Sequence, residues 1–148
     1  MMEGLKTIRL IALYIALFTP VLALQGQNPL NGYKWKNRVL LILGSSKSSE
    51  LINAQLMRLE PLNKAFDERK ILILKAVDGN LQILNGSNTH NYSKSDLNAV
   101  FNAEKADFKL VLIGLDGGIK LEQKQPIDRL DLFGLIDGMP LRKAEIKN

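Results

Sequence analysis

An α/β fold with a mixed sheet is predicted, in which a βαβ unit leads to a β-hairpin and a C-terminal helix. Three observations carry it. The apolar runs Val39–Leu43, Ile71–Leu74 and Phe108–Leu115 have the length and branching of strands buried on both faces. The first two are separated by a segment with apolar residues at helical spacing, so they should pair in parallel through a right-handed crossover. Asp116-Gly117-Gly118, between the third run and Ile119–Gln123, is a hairpin signal.

The elements follow in order. Lys6 and Arg9, the apolar stretch Leu10–Phe18, then Thr19-Pro20 and the small-residue pattern ending at Ala23, read as a secretory signal at 1–23 cleaved before Leu24. The run is shorter than the roughly 20 residues that span a bilayer, so the processed protein should not be membrane-embedded. Residues 24–34 are polar, with Pro29 and Gly32, and form a lead-in. After the first strand, Glu50 opens a helix carrying Leu51, Ile52, Leu56, Leu59, Leu62 and Phe66, with serines placed to cap it and Pro61 predicting a break. Asp78-Gly79-Asn80 closes the second strand, and Leu81–Leu84 is a short extra strand. Ser93 and Asp96 mark a helix start ahead of Leu97, Val100 and Phe101. Pro126 and Asp128 begin a helix with Ile127, Leu130, Phe133 and Ile136 inward, and Gly138 ends it.

Composition removes several function classes. The chain has 148 residues, 46% of them apolar, enough for one domain to fold on its core alone. With no cysteine there is no disulfide, thiolate nucleophile or cysteine metal site, and one histidine excludes a multi-histidine centre. A net charge of +5, not gathered into a stripe, is too dilute for a dedicated nucleic-acid binder.

The element order resembles the thioredoxin-like fold, a three-layer sandwich whose chemistry sits between the first strand and the next helix. There this chain reads Gly44-Ser45-Ser46-Lys47-Ser48, with serines where a Cys-x-x-Cys would stand, so thiol–disulfide oxidoreductase activity is absent. Phe108-Lys-Leu-Val-Leu-Ile-Gly-Leu-Asp-Gly-Gly-Ile-Lys-Leu121, Leu132-Phe-Gly-Leu-Ile-Asp-Gly-Met-Pro-Leu-Arg-Lys-Ala-Glu-Ile146 and Trp35-Lys-Asn-Arg38 together resemble the bacterial DUF4174 family, with the domain at 35–146. That family is related to the thioredoxin-like modules of equarin and the sushi-repeat-containing proteins. Leu141 stands where the family more often has methionine and Gly138 where it has alanine, both packing changes. The resemblance implies an exported domain without an established reaction.

Candidate chemistry is sparse. The Gly44–Ser48 loop lacks the Walker glycines, which leaves weak anion binding by backbone N–H groups and Lys47, against the plainer reading of a capping turn. His90 lies in a polar loop without a Gly-x-Ser-x-Gly elbow elsewhere, and Asn85-Gly-Ser87 and Asn91-Tyr-Ser93 read as polar loop despite matching a glycosylation pattern. The segment Asp137–Glu145 is the best candidate site: Arg142 and Glu145 are three apart on a turn begun by Pro140, and Asp137 can reach the same guanidinium. A structural clasp and a surface for an anionic ligand or partner are both open to it. Trp35 reads as an anchoring aromatic and Arg38 as a solvated charge. The leading expectation is an exported, periplasmic or secreted, non-enzymatic module that needs no cofactor or metal and binds an extracytoplasmic protein or anionic ligand. The alternative is a cysteine-independent enzyme using Arg142, Asp137 and Lys47.

Overall fold

The computed structural model describes residues 29–86 and 107–147. Residues 1–23, expected as a signal, the helix expected after Ser93, His90 and Asn91 lie outside the described residues.

Five strands form one mixed sheet: β1 (Arg38–Gly44), β2 (Ile71–Val77), β3 (Asn80–Ile83), β4 (Phe108–Ile113) and β5 (Ile119–Gln123), in the order β3-β2-β1-β4-β5. β1 is central, and its Val-Leu-Leu-Ile-Leu run is buried along its whole length, as a strand covered on both faces requires. It pairs in parallel with β2, Arg38 against Ile71, and antiparallel with β4, Val39 against Ile113. The edges are made by hairpins, β2–β3 and β4–β5, each turned by Asp-Gly. Asp78 and Gly79 both have positive φ, at 48° and 77°, as a two-residue turn matched to strand twist requires. At the other hairpin Gly117 alone takes the left-handed region, while the Asp116 carboxylate accepts from the Gly118 N–H and pairs with Lys120.

Side-chain alternation divides the core in two. Leu40, Ile42, Ile71, Ile73, Leu110 and Leu112 face α1 (Ser49–Leu59), α2 (Lys64–Glu68) and α3 (Arg129–Asp137), against Ile52, Leu59, Phe66, Leu132, Phe133 and Ile136. On the opposite face Val39, Leu41, Leu43, Leu72, Leu74 and Val111 pack with Leu30 and Tyr33 of a 3-10 turn at Pro29–Tyr33. The segment expected as a polar lead-in therefore supplies two core side chains. A fourth helix, α4 (Pro140–Lys147), follows α3 after two residues. No helix among the described residues is long and apolar enough to cross a membrane.

Local expectations are met in some places and corrected in others. Pro61 does break the expected helix, separating α1 from α2. Ser48 does stand at the N-cap position of α1, but its side chain makes no bond to the helix: its hydroxyl donates to the Ser45 carbonyl and accepts from the Ser45 N–H, closing the preceding turn. Leu130 is 77% exposed, and Leu132 takes the inward position instead. Gly138 does follow the last residue of α3, with a right-handed backbone, φ −74°, rather than the left-handed one. Trp35 is 61% exposed, with the Lys34 ammonium over its ring, and does not anchor the core.

Two polar side chains stand in for missing backbone partners. Gln55, fully buried on α1, accepts from the Ile127 N–H and donates to the Ile127 carbonyl, fixing the loop into α3. Asn85 does the same at the edge of β2, where β3 pairs only with Leu74–Val77. Its Oδ1 accepts from Ile73 N–H at 2.7 Å and its Nδ2 donates to the Ile71 carbonyl at 2.8 Å. Asn85→Ala should cost about 1–3 kcal/mol in urea unfolding, because two inner backbone groups lose their partners. Asn85→Asp should cost as much, since a carboxylate cannot donate to Ile71. Either variant within about 0.5 kcal/mol of the parent would contradict this role.

Candidate functional site

The N-terminal end of β1 is where charges gather. Arg38 shares its face of the strand with Leu40 and Ile42, so its side chain lies in the helical layer, and it is 0% exposed. This overturns its reading as a solvated charge. The parallel register sets Arg38 beside Ile71, bringing the α2–β2 turn with Arg69 and Lys70 against it, and the Arg38 N–H donates to the Lys70 carbonyl. The end of α3 and all of α4 close over the same place.

Arg38 Nη1 donates to the Arg69 carbonyl at 2.9 Å and to Glu145 Oε2 at 3.1 Å. Arg142 reaches the same Glu145 oxygen at 3.5 Å, Asp137 Oδ1 through Nε at 3.2 Å, and the Glu68 carbonyl at 2.8 Å. Arg69 Nη2 holds the other Asp137 oxygen at 2.6 Å, while its guanidinium stacks 4.2 Å over the Phe133 ring, itself edge-on to Phe66. Lys70 Nζ lies 3.1 Å from Glu145 Oε1, a charge contact without hydrogen-bond alignment. Lys70 has φ 51°, a left-handed backbone at the end of α2 where glycine is the easy residue. The network thus joins Arg38, Arg69, Lys70 and Arg142 to only Asp137 and Glu145.

That imbalance governs the carboxyls. Burial alone would raise Asp137, but the hydrogen bonds and charges of Arg69 and Arg142 outweigh it and hold the group below the usual carboxylate range. Glu145 behaves alike: burial opposes the charged form, and Lys70 and Arg38 more than offset it.

Of the residues the sequence singles out, Arg142, Asp137 and Glu145 do come together, as the spacing predicts. Lys47 does not join them. It is exposed beyond the C-terminal end of β1, and a seven-residue strand puts it about 20 Å from Arg38. The backbone donors of its loop are also taken: Ser46 N–H points at the Asp78 carboxylate and Ser45 N–H at Ser48 Oγ. Asp116, Gly117 and Gly118 serve the hairpin. Among the described residues no cluster of three or more His, Asp or Glu could hold a metal ion.

A family model, DUF4174, a domain of unknown function, matches residues 29–145. The chain belongs to the DUF4174 family. No solved structure matches it. The DUF4174 span opens at the 3-10 turn that packs Leu30 and Tyr33 and ends at Glu145, so every member of the charge network falls inside the domain.

Arg38, Arg69 and Lys70 escape sequence reasoning because a basic residue at the start of an apolar run ordinarily points to solvent. The available signal is that basic residues begin both members of a parallel pair, Arg38 before Val39 and Arg69-Lys70 before Ile71. Parallel pairing stacks those positions at one sheet end.

Because Asp137 and Glu145 sit below their unfolded-state values, they contribute stability that is complete above the carboxylate range and is lost as pH falls through it, from about pH 5 downward. Urea unfolding across pH 7 to 3 should show a steep acid decline in the parent. The double variant Asp137→Asn with Glu145→Gln should be less stable at pH 7 and decline less steeply. Parallel profiles would contradict the assignment.

Proposed function

We propose that this DUF4174 protein is an exported, non-enzymatic binding module built on a thioredoxin-like scaffold whose redox cysteines are gone. The scaffold reading is supported by the parallel β1–α1–β2 unit followed by an antiparallel β4–β5 hairpin and a helix behind it. Kinship with the thioredoxin-like modules of equarin and the sushi-repeat-containing proteins fits the same reading. Export rests on the order of charged, apolar and small residues at 1–23, with the processed protein in the periplasm or secreted.

The observation that carries the non-enzymatic reading is the condition of Arg142. Its side chain is 13% exposed and is occupied by Asp137, Glu145 and the Glu68 carbonyl at once. A guanidinium engaged through Nε and Nη1 by two carboxylates and a carbonyl ties α3, α4 and the end of α2 together. Lys47, the third member of the catalytic alternative, stands at the other end of the sheet. The partner is an extracytoplasmic protein or an anionic ligand, the class that a network with excess positive charge attracts.

Arg142→Ala should lower stability by roughly 1–3 kcal/mol, because two carboxylates and a carbonyl lose a partner. For a domain of this size that is a fall in Tm of several degrees, on the scale of about 2–8 °C per kcal/mol. A variant that melts like the parent would remove the clasp. Mass spectrometry of the extracytoplasmic fraction should find an N-terminus at or within a few residues of Leu24; intact Met1 recovered with membranes would overturn export.

A further inference from the structure

The turn between the 3-10 segment and β1 carries Lys34-Trp35-Lys36, and all three residues are exposed. Trp35 takes φ 65°, a left-handed backbone that is costly for a bulky aromatic. Three backbone bonds hold it there. Trp35 N–H donates to the Leu115 carbonyl at 2.7 Å, and the N–H groups of Lys36 and Asn37 donate to the Tyr33 carbonyl at 2.9 and 2.8 Å. A fixed turn therefore presents to solvent the side chain with the largest apolar area to bury.

Two further segments adjoin this turn. The Lys34 stem lies over Gly117 of the β4–β5 hairpin, where a Cβ would stand 3.3 Å from its Cδ. Between α4 and the sheet end, a cavity of about 210 Å³ is lined by Arg38, Leu115, Asp116, Lys120 and Leu141, which sets the start of α4 beside the same hairpin. Ile119, where the hairpin enters β5, and Leu141 on α4 are exposed apolar residues like Trp35.

The charge at this end of the sheet is positive. Lys34 and Lys36, with Lys143 and Lys147 on α4, form no ion pair among the described residues. The Lys34 ammonium rests 5.7 Å from the centre of the Trp35 ring. The one carboxylate of the hairpin turn, Asp116, is answered by Lys120 at 2.7 Å. An occupant has to bring negative charge and also close around a ring that projects from a turn instead of lining a groove. An anionic lipid surface does both: its phosphates attract the lysines, and the indole sits at headgroup level with its apolar body towards the acyl chains.

We infer that the Lys34-Trp35-Lys36 turn is the centre of a peripheral docking surface for an anionic phospholipid membrane. The inference rests on the binding-module reading and names the partner.

Trp35 is the sole tryptophan, so fluorescence reports on the proposed contact residue itself. The processed protein is mixed with vesicles of phosphatidylglycerol and phosphatidylcholine in equal parts, and with vesicles of phosphatidylcholine alone. The mixed vesicles should shift the emission to the blue and carry the protein down on sedimentation, less so as salt is raised. Phosphatidylcholine alone should do neither. Lys34→Gln combined with Lys36→Gln should weaken sedimentation roughly tenfold or more, since both lysines lie at the surface. Trp35→Gly, which suits the left-handed backbone and so keeps the fold, should also weaken it. Four outcomes overturn the surface: no blue shift with the mixed vesicles, equal binding to phosphatidylcholine alone, either variant sedimenting like the parent, or polyglutamate shifting the emission as far as the vesicles do, which would assign the turn to an acidic protein. Any of these would leave the Arg142→Ala melt and the mature N-terminus as they stand, so loss of the lipid surface and loss of the module reading are separate results.

Discussion

A guanidinium without solvent contact stands at the start of the central strand, and the C-terminal part of the fold is arranged around it. A charge buried this completely has to be answered by protein groups. The Arg69 carbonyl and Glu145 answer it, which fixes where α4 must lie. Eight residues make α4 too short to persist alone, and none of its residues is fully buried. Its docking is therefore mainly an electrostatic matter, with Leu141 and Met139 adding partial burial. From Glu145 the alternation runs on through Arg142 and Asp137 to Arg69, linking β1, the α2–β2 turn, α3 and α4 in one chain of opposite charges.

Such a network is a poor device for raw stability, since an apolar cluster of similar volume often does as well or better. What it supplies here is position. Each carboxylate bridges two or more cations with defined oxygens, so α4 cannot slide along the sheet end without leaving a charge unpaired. The same rigidity shapes the cavity beneath α4 and holds one edge of Arg38 towards the protein frame. Structural clasp and binding surface are alternatives when only Arg142 and its neighbours are considered in sequence; in the fold Arg142 bonds Asp137, Glu145 and the Glu68 carbonyl, and so takes part in the clasp.

The sheet was legible because its signals are local and repeated. Continuous apolar runs, two Asp-Gly turns and a helical spacing between the first two strands give the strand count and the parallel pair, and Pro140 marks the start of α4. The pairing of Arg142 with Glu145 and Asp137 was legible for the same reason, being set by helical geometry over a few residues. What was not legible depends on register and on contacts between distant segments. Nothing local distinguishes Arg38 from a surface arginine until β2 is placed beside β1 and α4 over both. Gln55 and Asn85 were missed likewise: Gln55 reads as the edge of an apolar stripe and Asn85 as polar loop, whereas each bonds backbone groups distant in sequence, 72 residues away at Ile127 and 12 to 14 away on β2. Leu130 fails in the opposite sense, an apolar residue at a plausible inward spacing that the packing of Leu132 and Phe133 turns outward.

The central claim is that charge, through Arg38 and Glu145, holds α4 on the sheet. Amide hydrogen exchange of Glu145→Gln against the parent at pH 7 tests it most directly, because exchange is read separately for each element. The account predicts that peptides covering residues 140–147 lose protection in the variant while those of β1 and β4 keep theirs. Equal protection of α4 in both proteins would contradict it.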